Sequence, residues 1–108
     1  MVTYDILDAD IAIWNEDTVL ATIRKLAQEF GLLVKEETTL LSKKGSTHCH
    51  LGHPQYSGLL EITVWPPRNA IWIDIHANRR TGWNEAMIEP VAQRLADRFG
   101  GHAKKRNS

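Results

Sequence analysis

The chain of 108 residues contains only one cysteine, Cys49. A single thiol cannot form an internal disulfide, which excludes a disulfide-stabilised scaffold and makes a reducing, cytoplasmic location the expectation. On its predicted strand Cys49 alternates with polar neighbours and falls on the core side. We therefore interpret it as a small buried apolar residue rather than a nucleophile or a metal ligand.

Long apolar runs and an excess of charge are also missing. No apolar stretch approaches the roughly 18 residues of a membrane span, and no basic segment precedes an apolar one at the start, so we expect neither a transmembrane helix nor a signal peptide. Thirteen basic residues balance thirteen acidic ones. Without net charge, no long-range field directs the protein towards nucleic acid or a membrane.

The hydrophobic pattern predicts one α+β domain over residues 1–101. Apolar residues recur every three or four positions over residues 15–30 and again towards Phe99, which indicates two amphipathic helices. Alternating patterns predict strands over residues 2–7, 32–36, 46–51, 59–65 and 70–76. This β-α-β-β-β-β-α order favours a single-layer antiparallel sheet with two helices packed on one face. The basic segment 102–108 has nothing apolar to bury and is expected to be a disordered tail.

Histidine is concentrated in the middle of the chain, where four of the five lie between positions 48 and 76. His48 and His50 form an H-x-H pair, which on a strand places both imidazoles on one face. Imidazole is the commonest metal ligand and titrates near neutrality. No complete metal-binding or catalytic signature accompanies the pair, so its chemistry stays open at this stage.

Strand pairing brings carboxylates to the same face. The four-residue turn at 66–69 predicts that Glu61 lies opposite Asp74. For the preceding hairpin, across residues 52–57, we expect His48 beside Glu61, although a slip of two residues would preserve the faces and change the neighbours. Two opposed carboxylates are unfavourable unless something positive lies between them, such as a protonated histidine, an arginine or a metal ion.

Three interpretations of this polar face remain open. The plainest is a solvated sheet surface whose polar side chains pair with one another. A divalent metal such as zinc would suit a site in which histidines and one carboxylate are the ligands. An acid/base site without metal would use a histidine oriented by a carboxylate. The metal candidates are His48, His50, His76 and Glu61, with Asp74 as an alternative oxygen ligand, and the catalytic candidates are His48, Glu61, Asp74 and His76.

Aromatic and basic residues suggest a different use of the same face. Trp65 and Trp72 lie close together on it, and tryptophan and arginine are enriched at interface anchors. Arg79 and Arg80 precede the last helix and could contribute to an interface or bind an anion. The sequence therefore predicts partner-binding residues Trp65, Trp72, Arg79 and Arg80.

These observations favour a small non-enzymatic binding or accessory protein that recognises a protein partner, or a second copy of itself, through the histidine, tryptophan and acidic face. The alternative is a small enzyme or binder, metal-dependent or using a histidine–carboxylate pair, that acts on an anionic small molecule. Single-stranded nucleic acid binding by stacking on the tryptophans is a third hypothesis, against which the zero net charge argues.

Overall fold

Six strands and two α-helices are the main elements of the described part of the chain, residues 1–107, in the computed structural model. In chain order they are β1 (Val2–Leu7), α1 (Glu16–Glu29), β2 (Leu33–Thr38), β3 (Thr47–Gly52), β4 (Leu59–Trp65), β5 (Ala70–Ile75), α2 (Gly82–Phe99) and β6 (His102–Lys105). Two short 3-10 helices, Pro66–Arg68 and Ala77–Arg79, follow β4 and β5. All strand pairs are antiparallel, in the order β2-β3-β4-β5-β1-β6. The predicted α+β fold with one antiparallel sheet and two helices is confirmed.

One face of the sheet and the two helices share a single apolar core. The predicted amphipathic pattern correctly identifies the core residues of the two helices. Helix α1 begins after Asn15, whose Oδ1 accepts the Thr18 N–H at 2.8 Å, as an N-cap does. Neither helix of the described residues is both long and apolar enough to cross a bilayer. The largest fully buried side chains are Ile11, Ile23, Leu26, Leu51, Leu60, Ile62, Ile73, Ile75, Leu95, Val19, Val64 and Val91.

The opposite face of the sheet is here called the open face. Because strand side chains alternate, it carries the residues between those of the core. The β4–β5 register is the predicted one, with Glu61 opposite Asp74. The polar members of the open face on the three central strands are His48, His50, Glu61, Thr63 and Asp74.

The predicted β3–β4 register is wrong by two residues. His48 lies opposite Thr63, and His50, rather than His48, lies opposite Glu61. The reason is that β3 continues through Gly52, which displaces the connection to residues 53–58, and a connection of that length does not impose one register as a tight turn does. A slip of two residues keeps every side chain on its predicted face, so the same polar groups meet in a different order.

A β-bulge in β2 changes which acidic residue reaches the open face. Val34 pairs with Leu51 on the core side, but the next paired residue is Glu36, opposite His50. Lys35 is the extra residue between them. The bulge therefore turns Glu36 onto the open face beside the histidines, where strict alternation from Val34 would have placed it among the core residues.

The predicted disordered tail is wrong for residues 102–105, which form β6 along β1. Gly100 adopts a left-handed φ of 83°, and Gly101 passes so close to Leu7 that a Cβ atom there would overlap the Leu7 carbonyl oxygen. This reversal lets an edge strand form through backbone hydrogen bonds without burying apolar side chains. Arg106 follows and donates from Nε to Asp5 Oδ2 at 2.8 Å. Ser108, the last residue of the predicted tail, lies outside the described residues.

Candidate metal centre

A row of polar side chains crosses the open face from strand to strand. It runs from Glu36 on β2 through His50 on β3, Glu61 on β4 and Asp74 on β5 to Thr3 on β1. Neighbouring strands lie about 4.8 Å apart, so side chains of this length meet across each gap. The sheet register alone therefore assembles a histidine between two glutamates and a glutamate beside an aspartate.

Three ligand-type atoms converge at the centre of this row, and we call them the inner group: His48 Nε2, His50 Nε2 and Glu61 Oε1. Glu61 Oε1 lies 3.1 Å from His48 Nε2 and 3.3 Å from His50 Nε2. The two nitrogens are 3.2 Å apart. His48 and Glu61 are each only 9% exposed, although they lie on the face of the sheet opposite to the two helices of residues 1–107.

The outer nitrogens of both rings are already engaged. His50 Nδ1 lies 3.3 Å from a carboxylate oxygen of Glu36, which can only accept, so the proton of a neutral ring belongs on Nδ1. His48 Nδ1 lies 2.8 Å from the hydroxyl of Thr63, which can donate or accept. With both rings neutral, the three atoms of the inner group share at most one proton, on His48 Nε2.

Burial shifts the protonation of this face. It lowers the pKa of His48, and the nearby Glu61 carboxylate offsets only part of the effect, so the ring favours its neutral, ligand-competent form. Burial also raises the pKa of Asp74 to about 6, and the negative charge of Glu61 adds to this rise, while His76 and Arg106 oppose it. Asp74 therefore takes up a proton more readily than an ordinary aspartate does.

A second set of ligand-type atoms adjoins the first, and we call it the outer group: Glu61 Oε2, Asp74 Oδ1 and His76 Nε2. His76 Nε2 lies 3.3 Å from Glu61 Oε2 and 3.5 Å from Asp74 Oδ1. Asp74 Oδ1 is buried and has no hydrogen-bond partner among the described residues. The predicted ligands thus divide into two groups that share the Glu61 carboxylate.

The inner group has the dimensions of a tetrahedral metal site. Zinc bonds of 2.0–2.1 Å at tetrahedral angles hold neighbouring ligand atoms about 3.3–3.4 Å apart, close to the 3.1–3.3 Å between these three atoms. The contacts of His50 with Glu36 and of His48 with Thr63 are those by which second-sphere partners fix the ring tautomer of metal-bound histidine. The residues present therefore fit a divalent ion.

The two predicted anchor tryptophans are half-buried and already have neighbours. Lys43 Nζ lies 6.0 Å from the ring centroids of both Trp65 and Trp72, and the Arg68 guanidinium lies 5.5 Å from Trp65. Trp65 Nε1 also donates to the Lys44 carbonyl at 2.8 Å. These cations lie over ring faces that stacked bases of single-stranded nucleic acid would need.

The paired arginines differ in what they contact. Arg80 Nε donates to Glu85 Oε1 at 3.0 Å, whereas Arg79 has no ion-pair partner among residues 1–107. Arg79 lines a cleft of about 440 Å³ next to His50, with Lys35, Glu36 and Tyr56 among its other walls. The structure thus makes Arg79, rather than Arg80, the cation available to a ligand near the histidines.

Two further residues near the H-x-H pair, His53 and Cys49, belong to neither the inner nor the outer group. His53 Nδ1 accepts the Gln55 N–H at 2.9 Å, and its ring lies 4.6 Å from that of Tyr56, so it is not part of either group. Cys49 is fully buried in the core, as predicted, and burial raises its pKa to about 12.

Sequence reasoning missed the contribution of Glu36, Thr63 and Arg106. Glu36 reaches His50 only because of the bulge at Lys35, which no sequence pattern marks. Thr63 lies on the same face as Glu61 because the two residues are two positions apart on β4, but its contact with His48 depends on the β3–β4 register. Arg106 lies in the predicted tail. No family model, curated protein or solved structure matches this chain, so the functional argument rests on the site itself.

Proposed function

We propose that this protein binds a divalent transition-metal ion such as zinc through His48, His50 and Glu61, and that the ion binds an anionic small molecule. The observation that supports this most directly is the convergence of three lone-pair atoms within 3.3 Å of one another in a buried part of the open face. A cation at their centre would relieve the repulsion between them.

A merely solvated polar face explains this geometry less well. Solvated histidines and carboxylates would point apart into water, whereas these are held together at low exposure by Glu36 and Thr63 behind them. A single proton between His48 and Glu61 satisfies that pair but leaves the His50 Nε2 lone pair directed at the same point. The metal-free acid/base alternative differs in one testable respect, because its activity would survive a chelator.

The ligand class follows from the coordination and from the adjacent cleft. Three protein ligands leave a fourth position for water or an exogenous molecule, as in catalytic rather than structural zinc sites. The cleft beside His50 brings Lys35 and Arg79 near that position, and neither cation has an ion-pair partner among residues 1–107. A carboxylate or phosphate group could bind the ion at one end and these cations at the other.

The test is calorimetric titration of chelator-treated protein with zinc, with thermal unfolding as a second readout. We expect binding near neutral pH and a higher melting temperature with zinc, because an ion that binds only the folded state stabilises it. His48→Ala and His50→Ala should abolish tight binding. His53→Ala, which removes a nearby histidine outside the group, should bind like the unchanged protein. Folded protein that neither binds nor is stabilised by divalent ions would overturn the proposal.

Recognition of a protein partner is the second candidate function. It is supported by the open face, which neither helix of residues 1–107 covers, and by the half-buried Trp72 beside the polar row. Trp72 and Arg79 are its best anchors, since Trp65 and Arg80 are engaged within the chain. The substitutions Trp72→Ala and His48→Ala separate this function from metal binding.

A further inference from the structure

We infer that the open face holds a second metal ion at the outer group, so that the Glu61 carboxylate bridges two ions. This inference rests on the proposed metal site and extends it to a dinuclear centre. One oxygen of Glu61 faces the two histidines of β3, and the other faces His76 at 3.3 Å. The two oxygens of a single carboxylate are thus presented to two different sets of ligands.

The independent evidence is Asp74. Its side chain is only 11% exposed, and its Oδ1 atom is buried without a hydrogen-bond partner in residues 1–107. A buried carboxylate oxygen without a donor is unfavourable in the charged state, because it has lost its hydration and gained no hydrogen bond in exchange. Buried polar atoms in native proteins generally have partners, and one without a partner beside other ligand atoms marks a place for a cation.

Among residues 1–107, no basic side chain donates a hydrogen bond to this oxygen. The Arg106 guanidinium donates to both carboxylate oxygens of Asp5 instead. His76 Nε2 is 3.5 Å from Asp74 Oδ1, outside good hydrogen-bond geometry, and also lies close to Glu61. A metal ion among these three atoms would accept electron pairs from both carboxylates and the imidazole.

Because both ions would bind the same Glu61 carboxylate, they would lie close enough together to bind one ligand between them. Pairs of metal ions bridged by carboxylates lie about 3.5–4 Å apart and bind the oxygens of one ligand together. The His76 side chain is 42% exposed, so the outer position opens to solvent. The ligand class that fits is an oxyanion, a phosphate or a carboxylate, whose two oxygens bind one ion each.

The experiment is to measure zinc stoichiometry by calorimetry and by native mass spectrometry of the chelator-treated, reloaded full chain. We expect two ions per chain in the unchanged protein, one in His76→Ala and Asp74→Asn, and none bound tightly in Glu61→Gln. His53→Ala is the matched control and should retain two. His76→Ala changes a side chain that is 42% exposed, compared with 11% for Asp74, so it keeps the test valid if Asp74→Asn fails to fold.

Failure of this inference and failure of the proposed function give different results. One ion per chain that is lost in His48→Ala but unaffected by His76→Ala would overturn the second position and leave the first intact. No bound ion in the unchanged protein would overturn both. Two ions whose loss does not follow the inner and outer groups would overturn the assignment of ligands.

Discussion

The Nε2 atoms of His48 and His50 lie 3.2 Å apart, with Glu61 Oε1 within 3.3 Å of both. Spacing along β3 places the two rings on one face, but only the pairing of β3 with β4 brings a carboxylate between them. His50 lies directly opposite Glu61, and His48 reaches the same carboxylate diagonally from its position opposite Thr63. The inner group is therefore a product of one strand register.

Thr63→Val should weaken metal binding without removing a ligand. The hydroxyl of Thr63 lies 2.8 Å from His48 Nδ1 and can accept its proton when Nε2 binds an ion. Loss of such a second-sphere partner typically costs about 10–100-fold in metal affinity. Calorimetry should show this loss, and Thr38→Val, on the neighbouring strand opposite His48, should show none. Equal affinity in the two variants would mean that Thr63 does not orient the ring.

Trp72→Ala and His48→Ala should have opposite consequences for the two candidate functions. If the open face binds metal, His48→Ala abolishes zinc binding and Trp72→Ala changes it little. If the face is a protein interface, Trp72→Ala weakens association by more than about 1–2 kcal/mol, as for a buried aromatic anchor, and His48→Ala matters less. Zinc titration and sedimentation of the same two proteins measure both effects. Indifference to both substitutions would show that the functional surface is elsewhere.

Cys49 should be inert towards thiol reagents in the folded protein. It is fully buried, and burial raises its pKa to about 12, so almost no thiolate is present at pH 8. Labelling should proceed only through opening of the fold, and zinc should slow it because a bound ion lowers the population of open states. Complete labelling in denaturant is the control. Rapid labelling under native conditions, unaffected by zinc, would contradict this prediction.

Gly101→Ala should destabilise the protein by about 1–3 kcal/mol, the usual cost of inserting a methyl group into a filled space. A Cβ atom there would overlap the Leu7 carbonyl and crowd Ala9, so β6 would have to move away from β1. Gly82→Ala is the matched control, because nothing lies within 4 Å of its added Cβ atom. Urea unfolding of both variants gives the comparison. Equal stabilities would show that β6 adjusts freely.

The sequence was sufficient for the parts of the fold that depend on local patterns. The Pro66–Arg68 turn is tight enough to fix one register, so Glu61 was correctly placed opposite Asp74. The connection at residues 53–58 is looser, and alternation cannot distinguish registers that differ by two. The bulge at Lys35 and the edge strand β6 leave no hydrophobic signal, because both depend on backbone hydrogen bonding.

The candidate site was predicted as a set of residues but not as an arrangement. Alternation identified the face shared by His48, Glu61 and Asp74, and these residues do meet there. Whether His76 joined the other histidines depended on distances across the sheet that only the structure supplies. In the structure His76 lies beside Asp74 and apart from His48 and His50, so the one expected site becomes two groups of ligand atoms that share Glu61.

All ligand atoms of both groups belong to residues between His48 and His76, which lie on three consecutive strands joined by short connections or, for His76, directly after the third. β1, by contrast, comes first in the chain but lies between β5 and β6 in the sheet. Its pairing of Val2 with Ile75 therefore joins residues that are far apart in the sequence. Short loops close at lower entropic cost than long ones. An ion bound by the central meander would hold three strands in register before β1 has a partner. Metal supply would then act on the rate of folding as well as on the stability of the folded state.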